Sequence, residues 1–211
     1  VEMFRDQGMD LYSGYRHTET APAIYDVGGV TLPRPYKITR IGPVRLFCED
    51  MDAALAFYRD TLGFIETETV DYKGHRCVFL RNNTEHHSMS LYPITLRKEL
   101  GCREDTQLFA FAVRLANYQQ LKNAVAFFRE QGCTIREDIP QELYPGIDYT
   151  AFVVDPDGQL IQLYAYMEQV GWDGKPRPTS ERRPVTPGDW PDTLDSVSDS
   201  YMGEPFLGPL G

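Results

Sequence analysis

The chain has 211 residues, of which 42% are hydrophobic, 12% aromatic and 25% charged, a globular composition that excludes a disordered or fibrous protein. Its formal net charge of −10 repels phosphate backbones and argues against nucleic acid as a partner. No apolar run approaches the roughly 20 residues of a membrane span, and Cys48, Cys77, Cys102 and Cys133 show no C-x-x-C spacing, so the expectation is a cytoplasmic protein with reduced thiols, no zinc site and no membrane partner.

Residues 5–37 hold Pro22, Gly28, Gly29, Pro33 and Pro35, the punctuation of a linker, with order expected from about Lys37. Residues 38–47 alternate as a strand, and Met51, Leu55, Tyr58 and Leu62 recur at helical spacing. Asp50 or Asp52 caps that helix and Gly63 ends it. Strand-like runs follow at 64–70, 76–80 and 87–92, with a turn at 71–74. The order then repeats. A strand at 108–115 leads to a helix capped by Asn117, with Leu121, Val125 and Phe128 on one face and Gly132 at its end. Strands at 134–137, 150–154 and 160–164 complete the copy, the last two joined by the tight turn Asp155-Pro156-Asp157-Gly158.

The chain therefore reads β-α-β-β-β twice, at a period of roughly 65–70 residues. The fold class is α+β: modules at about 38–94 and 105–168 pair into one curved, half-open sheet around a cavity, because one helix covers only one face of each copy. Residues 169–211 are rich in proline, glycine and charge and read either as an extended tail wrapping the domain, anchored by Trp172, Trp190, Tyr201 and Phe206, or as a disordered one.

Two runs, Ala56-Phe57-Tyr58-Arg59-Asp60-Thr61-Leu62-Gly63-Phe64 and Asp155-Pro156-Asp157-Gly158, sit inside this repeat in the order found in the vicinal oxygen chelate superfamily. Over residues 38–168 the chain resembles that superfamily of glyoxalases, bleomycin resistance proteins and type I extradiol dioxygenases. The run Asn83-Thr84-Glu85-His86-His87-Ser88 is similar to the Asn-x-Arg-His-His-Ser run of the extradiol branch, with Glu85 in place of the arginine. The resemblance implies His87 as the base that shuttles protons beside a catecholate, with His86 assisting. Histidine suits that role because it titrates near neutrality. Adjacent residues at the start of a strand point to opposite faces, so one of the pair is expected in the cavity.

The implied metal site is where the pattern departs. The resemblance places a ligand on the first strand of each module and a carboxylate on the last strand, and those positions fall on Pro43, Ala110 and Gln162. Proline and alanine have no donor atom, and a glutamine carbonyl is a poor ligand for Fe(II) or Mn(II). The tyrosine expected before the final turn is Phe152. The expectation is no metal in this domain, with Fe(II) or Mn(II) only if an upstream module supplies it.

Such a module is suggested by Val1-Glu2-Met3-Phe4, which resembles Ile161-Gln162-Leu163-Tyr164 and would put Glu2 at the carboxylate position of a preceding pair. An ordinary amphipathic tetrapeptide is the alternative. Three functions remain open: a dioxygenase relative acting on a phenolic or catecholic compound, by metal-free proton transfer such as an isomerase or lyase step; a non-catalytic binding module for a small aromatic molecule; and a structural half of a longer dioxygenase. The candidate lining is His75, His86 or His87, Phe109 or Phe111, Tyr149, Phe152, Gln162 and Tyr164. Expected partners are a small aromatic molecule and either an upstream module or a second copy in a homo-oligomer such as a dimer.

Overall fold

A short hairpin, β1 (Tyr25–Val27) and β2 (Val30–Leu32), precedes the repeat in the computed structural model, which describes residues 24–170, 174–182, 185 and 188–194. It corrects the expectation of a linker without secondary structure before Lys37. Gly28 and Gly29 adopt φ of 61° and 85°, and two positive-φ residues are what a tight two-residue hairpin turn requires. The first module comprises β3 (Ile38–Cys48), α1 (Met51–Leu55), β4 (Ile65–Tyr72), β5 (His75–Arg81) and β6 (Met89–Pro93). After α2 (Thr95–Glu99), the second comprises β7 (Leu108–Leu115), α3 (Tyr118–Glu130), β8 (Ile135–Arg136), β9 (Thr150–Val154) and β10 (Leu160–Tyr164).

The eight strands of the repeat form one open sheet in the order β4-β5-β6-β3-β7-β10-β9-β8. The modules join through their first strands, β3 and β7, which run antiparallel. Within each module the first and last strands run parallel, with Val44 opposite Met89 and Leu160 opposite Ala110. The helices cover one face. Leu55 of α1 packs on Val78, Leu80 and Leu91, and Leu121, Ala124 and Val125 of α3 pack on Val113, Leu115 and Leu163. The inner face carries Phe47, Phe79, Tyr92, Phe109, Phe152 and Tyr164, covered by Leu143, Tyr144, Ile147 and Met167.

The first helix departs from regular α geometry. Asp50 caps it, its carboxylate accepting from the Ala53 N–H at 3.0 Å. From Ala56 to Thr61 it widens into a π-helical turn, with the Leu62 N–H reaching the Phe57 carbonyl at 2.8 Å. The Thr61 hydroxyl donates back to the Ala56 carbonyl at 2.9 Å and competes with the regular ladder there. Gly63, at φ 91°, ends it.

β3 bulges at Gly42-Pro43, between Ile41 and Val44. Proline has no N–H for the ladder, so an interior proline belongs at such a bulge. Gly42 leaves room for the phenol of Tyr164, since a Cβ there would lie 2.5 Å from Tyr164 Cε1 and from its hydroxyl. The C-terminal segment docks on the second module. Arg177 pairs with Asp148 at 3.1 Å, its backbone N–H donates to the buried Glu168 carboxylate, and Trp190 packs against Tyr118 and Tyr149. Residues 1–4, Trp172, Tyr201 and Phe206 lie outside the described residues. Among the described residues no helix is long and apolar enough to cross a membrane.

Gly42→Ala is expected to destabilise the chain by about 1–3 kcal/mol, the usual range for overpacking, because the new methyl meets the Tyr164 ring. Equilibrium urea unfolding measures it, and an unchanged midpoint would show that Tyr164 can yield without cost.

Candidate functional site

Arg45 lies on the same face of β3 as Pro43 and Phe47, and its side chain is fully buried. Its Nη2 lies 3.1 Å from His87 Nε2. A guanidinium can only donate, so His87 Nε2 accepts and the proton of a neutral His87 sits on Nδ1. That Nδ1 lies 3.1 Å from His86 Nδ1, which accepts in turn. His86 Nε2 then donates to Glu68 Oε2 at 2.9 Å, and Glu68 is paired with Arg182 through contacts of 2.7 and 2.5 Å. One directed chain of hydrogen bonds thus runs from Arg45 through His87 and His86 to Glu68, which also accepts from Arg182.

Both imidazoles are buried, at 0% exposure, which corrects the expectation that they point to opposite faces. The alternation rule fails because neither residue belongs to β6, which begins at Met89. They sit in a preceding loop pinned by His86 N–H to the Glu168 carbonyl at 2.9 Å and Ser88 N–H to the Leu80 carbonyl at 2.8 Å. Gly146, at φ 81°, covers the His86 ring so closely that a Cβ would lie 2.7 Å from Cγ. Gly146, Glu68 and Arg182 also line a surface cleft of about 230 Å³ with Val70, Pro145 and Asp148. The outer end of the chain of hydrogen bonds therefore opens on this cleft, and its inner end is Arg45.

Burial, then the neighbouring Arg45 charge, then His86, hold His87 well below the ordinary histidine value. Burial alone would raise the Glu68 carboxyl, but hydrogen bonds from His86 and Arg182 and the Arg182 charge outweigh it and bring it down to about 2. Burial raises the Tyr92 phenol to about 12 against the pull of Arg45, and its hydroxyl donates to the Leu143 carbonyl at 2.5 Å. The inner end of the site is thus a cation among neutral groups.

Of the residues expected to line the cavity, Phe109, Phe152 and Tyr164 belong to the inner-face cluster, and Gln162 is fully buried in phase with Leu160 and Tyr164. Three others lie elsewhere. His75 sits at the β4–β5 hairpin, bonded to Glu99 at 2.8 Å and Thr95 at 3.2 Å. Phe111 packs with the helix-face cluster. Tyr149 stacks on Tyr118 and Trp190. For Phe111 the reason is sheet phase: Ala110 and Ala112 take the inner positions of β7 and turn Phe111 toward α3, whereas Phe109 sits at the register shift between β3 and β7 and escapes that alternation.

The positions that would hold the implied metal do not fit one. Pro43 and Ala110 bring no donor, and the Arg45 guanidinium occupies the row of β3, β7 and β10 that contains Ala110 and Leu160, where its charge opposes a cation. Among the described residues no three histidine, cysteine, aspartate or glutamate side chains converge as a metal site. Arg45, Glu68 and Arg182 escaped the reading of the sequence. Arg45 was detectable as a charge in the buried phase of a strand, whereas Glu68 and Arg182, 114 residues apart, carry no local signal.

The model of the Glyoxalase/Bleomycin resistance protein/Dioxygenase superfamily matches residues 40–163. No curated protein matches the chain. Among solved structures, it is similar to an extradiol ring-cleaving dioxygenase from B. fuscum, at 23% identity and TM-score 0.51, covering 64% of this chain and 35% of that one. Homoprotocatechuate 2,3-dioxygenase from Arthrobacter globiformis is similar at 24% identity and TM-score 0.51, covering 64% and 38%. The Brevibacterium fuscum homoprotocatechuate 2,3-dioxygenase complex with 3,4-dihydroxyphenylacetate is similar at 23% identity and TM-score 0.51, covering 64% and 39%. The chain thus spans less than two fifths of the length of these enzymes, and at such identities the likeness is one of fold.

The depressed His87 value makes stability depend on pH. The unfolded chain takes up a proton near pH 6.5 while the folded one does not, so stability is complete above about pH 6.5 and falls as the pH drops below it, by at most about 1.4 kcal/mol per pH unit. The Glu68 contribution is lost lower, between its ordinary value of 4.5 and about 2. Unfolding free energies measured from pH 7.5 to 5 are expected to show this slope, and His87→Gln to flatten it; equal slopes would mean that His87 is not held neutral.

Proposed function

Because the chain belongs to the glyoxalase/bleomycin resistance/dioxygenase superfamily, we propose that its inner face binds a small aromatic compound bearing a phenolic or catecholic hydroxyl, and that His87 exchanges the hydroxyl proton without a metal in this domain. The observation that carries this reading is the directed chain from Arg45 through His87 and His86 to Glu68. A hydroxyl placed between Arg45 and His87 loses its proton to His87 Nε2 as the O–H bond breaks. His87 passes its Nδ1 proton to His86, and His86 passes its Nε2 proton through Glu68, whose carboxyl is held at about 2 and so gives it up, to the solvent of the cleft. Each imidazole ends with one proton received and one given and Glu68 is again ionised, so no charge accumulates on the buried imidazoles. The ligand is left as an anion next to a guanidinium, ready for a proton-transfer, isomerase or lyase step.

A second reading, a binding module without turnover, is favoured by one contact. Arg45 donates to the same His87 nitrogen that must take the ligand proton, so a ligand that fails to displace that bond is held but not deprotonated.

Titration with catechol and 3,4-dihydroxyphenylacetate, followed by protein NMR, is expected to give saturable binding that perturbs residues of the inner face. His87→Ala is expected to weaken it at least about tenfold, or about 1.4 kcal/mol. Unchanged affinity would remove His87 from the site, and absence of binding by either compound would remove the aromatic-ligand reading. Proton exchange or turnover in the unaltered protein separates the first reading from the second. Stoichiometric iron or manganese in the purified chain would overturn the metal-free part.

A further inference from the structure

The inner end of the hydrogen-bond chain is chemically incomplete. Arg45 is fully buried, and among the described residues no carboxylate pairs with it. Its Nη2 meets the uncharged acceptor His87 and the guanidinium also faces the neutral Tyr92 phenol, while its Nε and Nη1 are buried without a well-formed hydrogen bond. On the same face, both side-chain atoms of Gln162 and the hydroxyl of Tyr164 are buried without partners. The sheet register brings these groups together. Arg45 shares a row with Ala110 and Leu160, and Gln162 and Tyr164 follow Leu160 in phase along β10, with the Tyr164 phenol within electrostatic reach of Arg45. A buried cation without a counter-charge costs several kcal/mol, and unmade hydrogen bonds on buried amides and hydroxyls add to that. One occupant relieves all of them: an oxygen carrying negative charge.

We infer that Arg45, with Gln162 and Tyr164, forms the binding site for an oxyanion of a small aromatic ligand, the ionised oxygen of a phenol or the carboxylate of an aromatic acid. The inference rests on the aromatic-ligand reading above and adds to it the charge of the ligand and the group that meets it. The guanidinium supplies, where the family's fold suggests a metal, a fixed positive charge that does not exchange. Arg45 orients the anion, Gln162 donates through its amide, and the Tyr164 hydroxyl donates from the side opened by Gly42.

The probe is 4-nitrophenol, whose anion is coloured. Bound to the full chain, it is expected to ionise at least about one pH unit below the free dye, a tenfold shift. Arg45→Met is expected to abolish the shift and Arg76→Met, at an exposed position of β5, to leave it. The carboxylate source is tested by melting temperature: benzoate is expected to stabilise the unaltered chain more than the uncharged benzyl alcohol. Either Arg45-dependent effect supports the inference and identifies the source. Should Arg45→Met fail to fold, the benzoate and benzyl alcohol comparison decides alone. Equal protection by the two, equal dye ionisation in the Arg45→Met protein, or no binding of dye and benzoate overturns the inference. Catechol binding that is indifferent to Arg45 would leave the aromatic-ligand reading standing and remove only the oxyanion site.

Discussion

The antiparallel pairing of β3 with β7 is the constraint on which the rest of the structure depends. Each module has one helix for two sheet faces, so the face away from its helix stays wet unless another module completes it. Joining the first strands edge to edge makes one sheet of the two, and the inner faces close over Phe47, Phe79, Tyr92, Phe109 and Phe152 as a single cluster. The pairing also puts Arg45 directly opposite Ala110. Ala110 brings no polar atom to that row, and both residues are fully buried there.

That burial sets the electrostatics of the site. In a dry interior a guanidinium acts over distances that water would screen, and its effects are visible in its neighbours. Next to burial, the larger cause, it helps to hold His87 well below the ordinary histidine value, and it opposes the rise of the Tyr92 phenol. Among the described residues the one carboxylate joined to the chain of hydrogen bonds, Glu68, stands at the cleft and is neutralised by Arg182 from the C-terminal segment. Charge is therefore separated along the chain: a cation inside, an ion pair outside, and two imidazoles between them with one consistent direction of donation. This polarity is what lets a proton move outward while negative charge stays within.

The repeat, the two helices and most strands were legible in the sequence because each rests on local physics: period-two or helical spacing, the caps Asp50 and Asn117, and glycines at Gly63, Gly132 and Gly158 where the chain needs positive φ. The departures were also local but depended on competing bonds, as in the π-helical turn where Thr61 bonds back to Ala56. The site was legible in part. His86 and His87 were found from a family-like run, and Gln162 and Tyr164 from alternation along β10. Phe111 was misplaced because a strand's pattern marks two faces without saying which is the inner one, and Tyr149 because it lies just before β9 and stacks on Tyr118 and Trp190.

By itself the sequence determined that two βαβββ copies must pair, and that Pro43, Ala110 and Gln162 bring no metal-binding set to their strands, since both follow from residue type and spacing. Only the tertiary structure decided what stands there instead. Arg45 is a lone charge in a strand until the β3–β7 register buries it, and Glu68 and Arg182 are remote in sequence until the C-terminal segment folds back across the cleft. The reason is that hydrogen bonds and ion pairs act over a few ångströms in space, whereas sequence patterns report on neighbours a few residues apart.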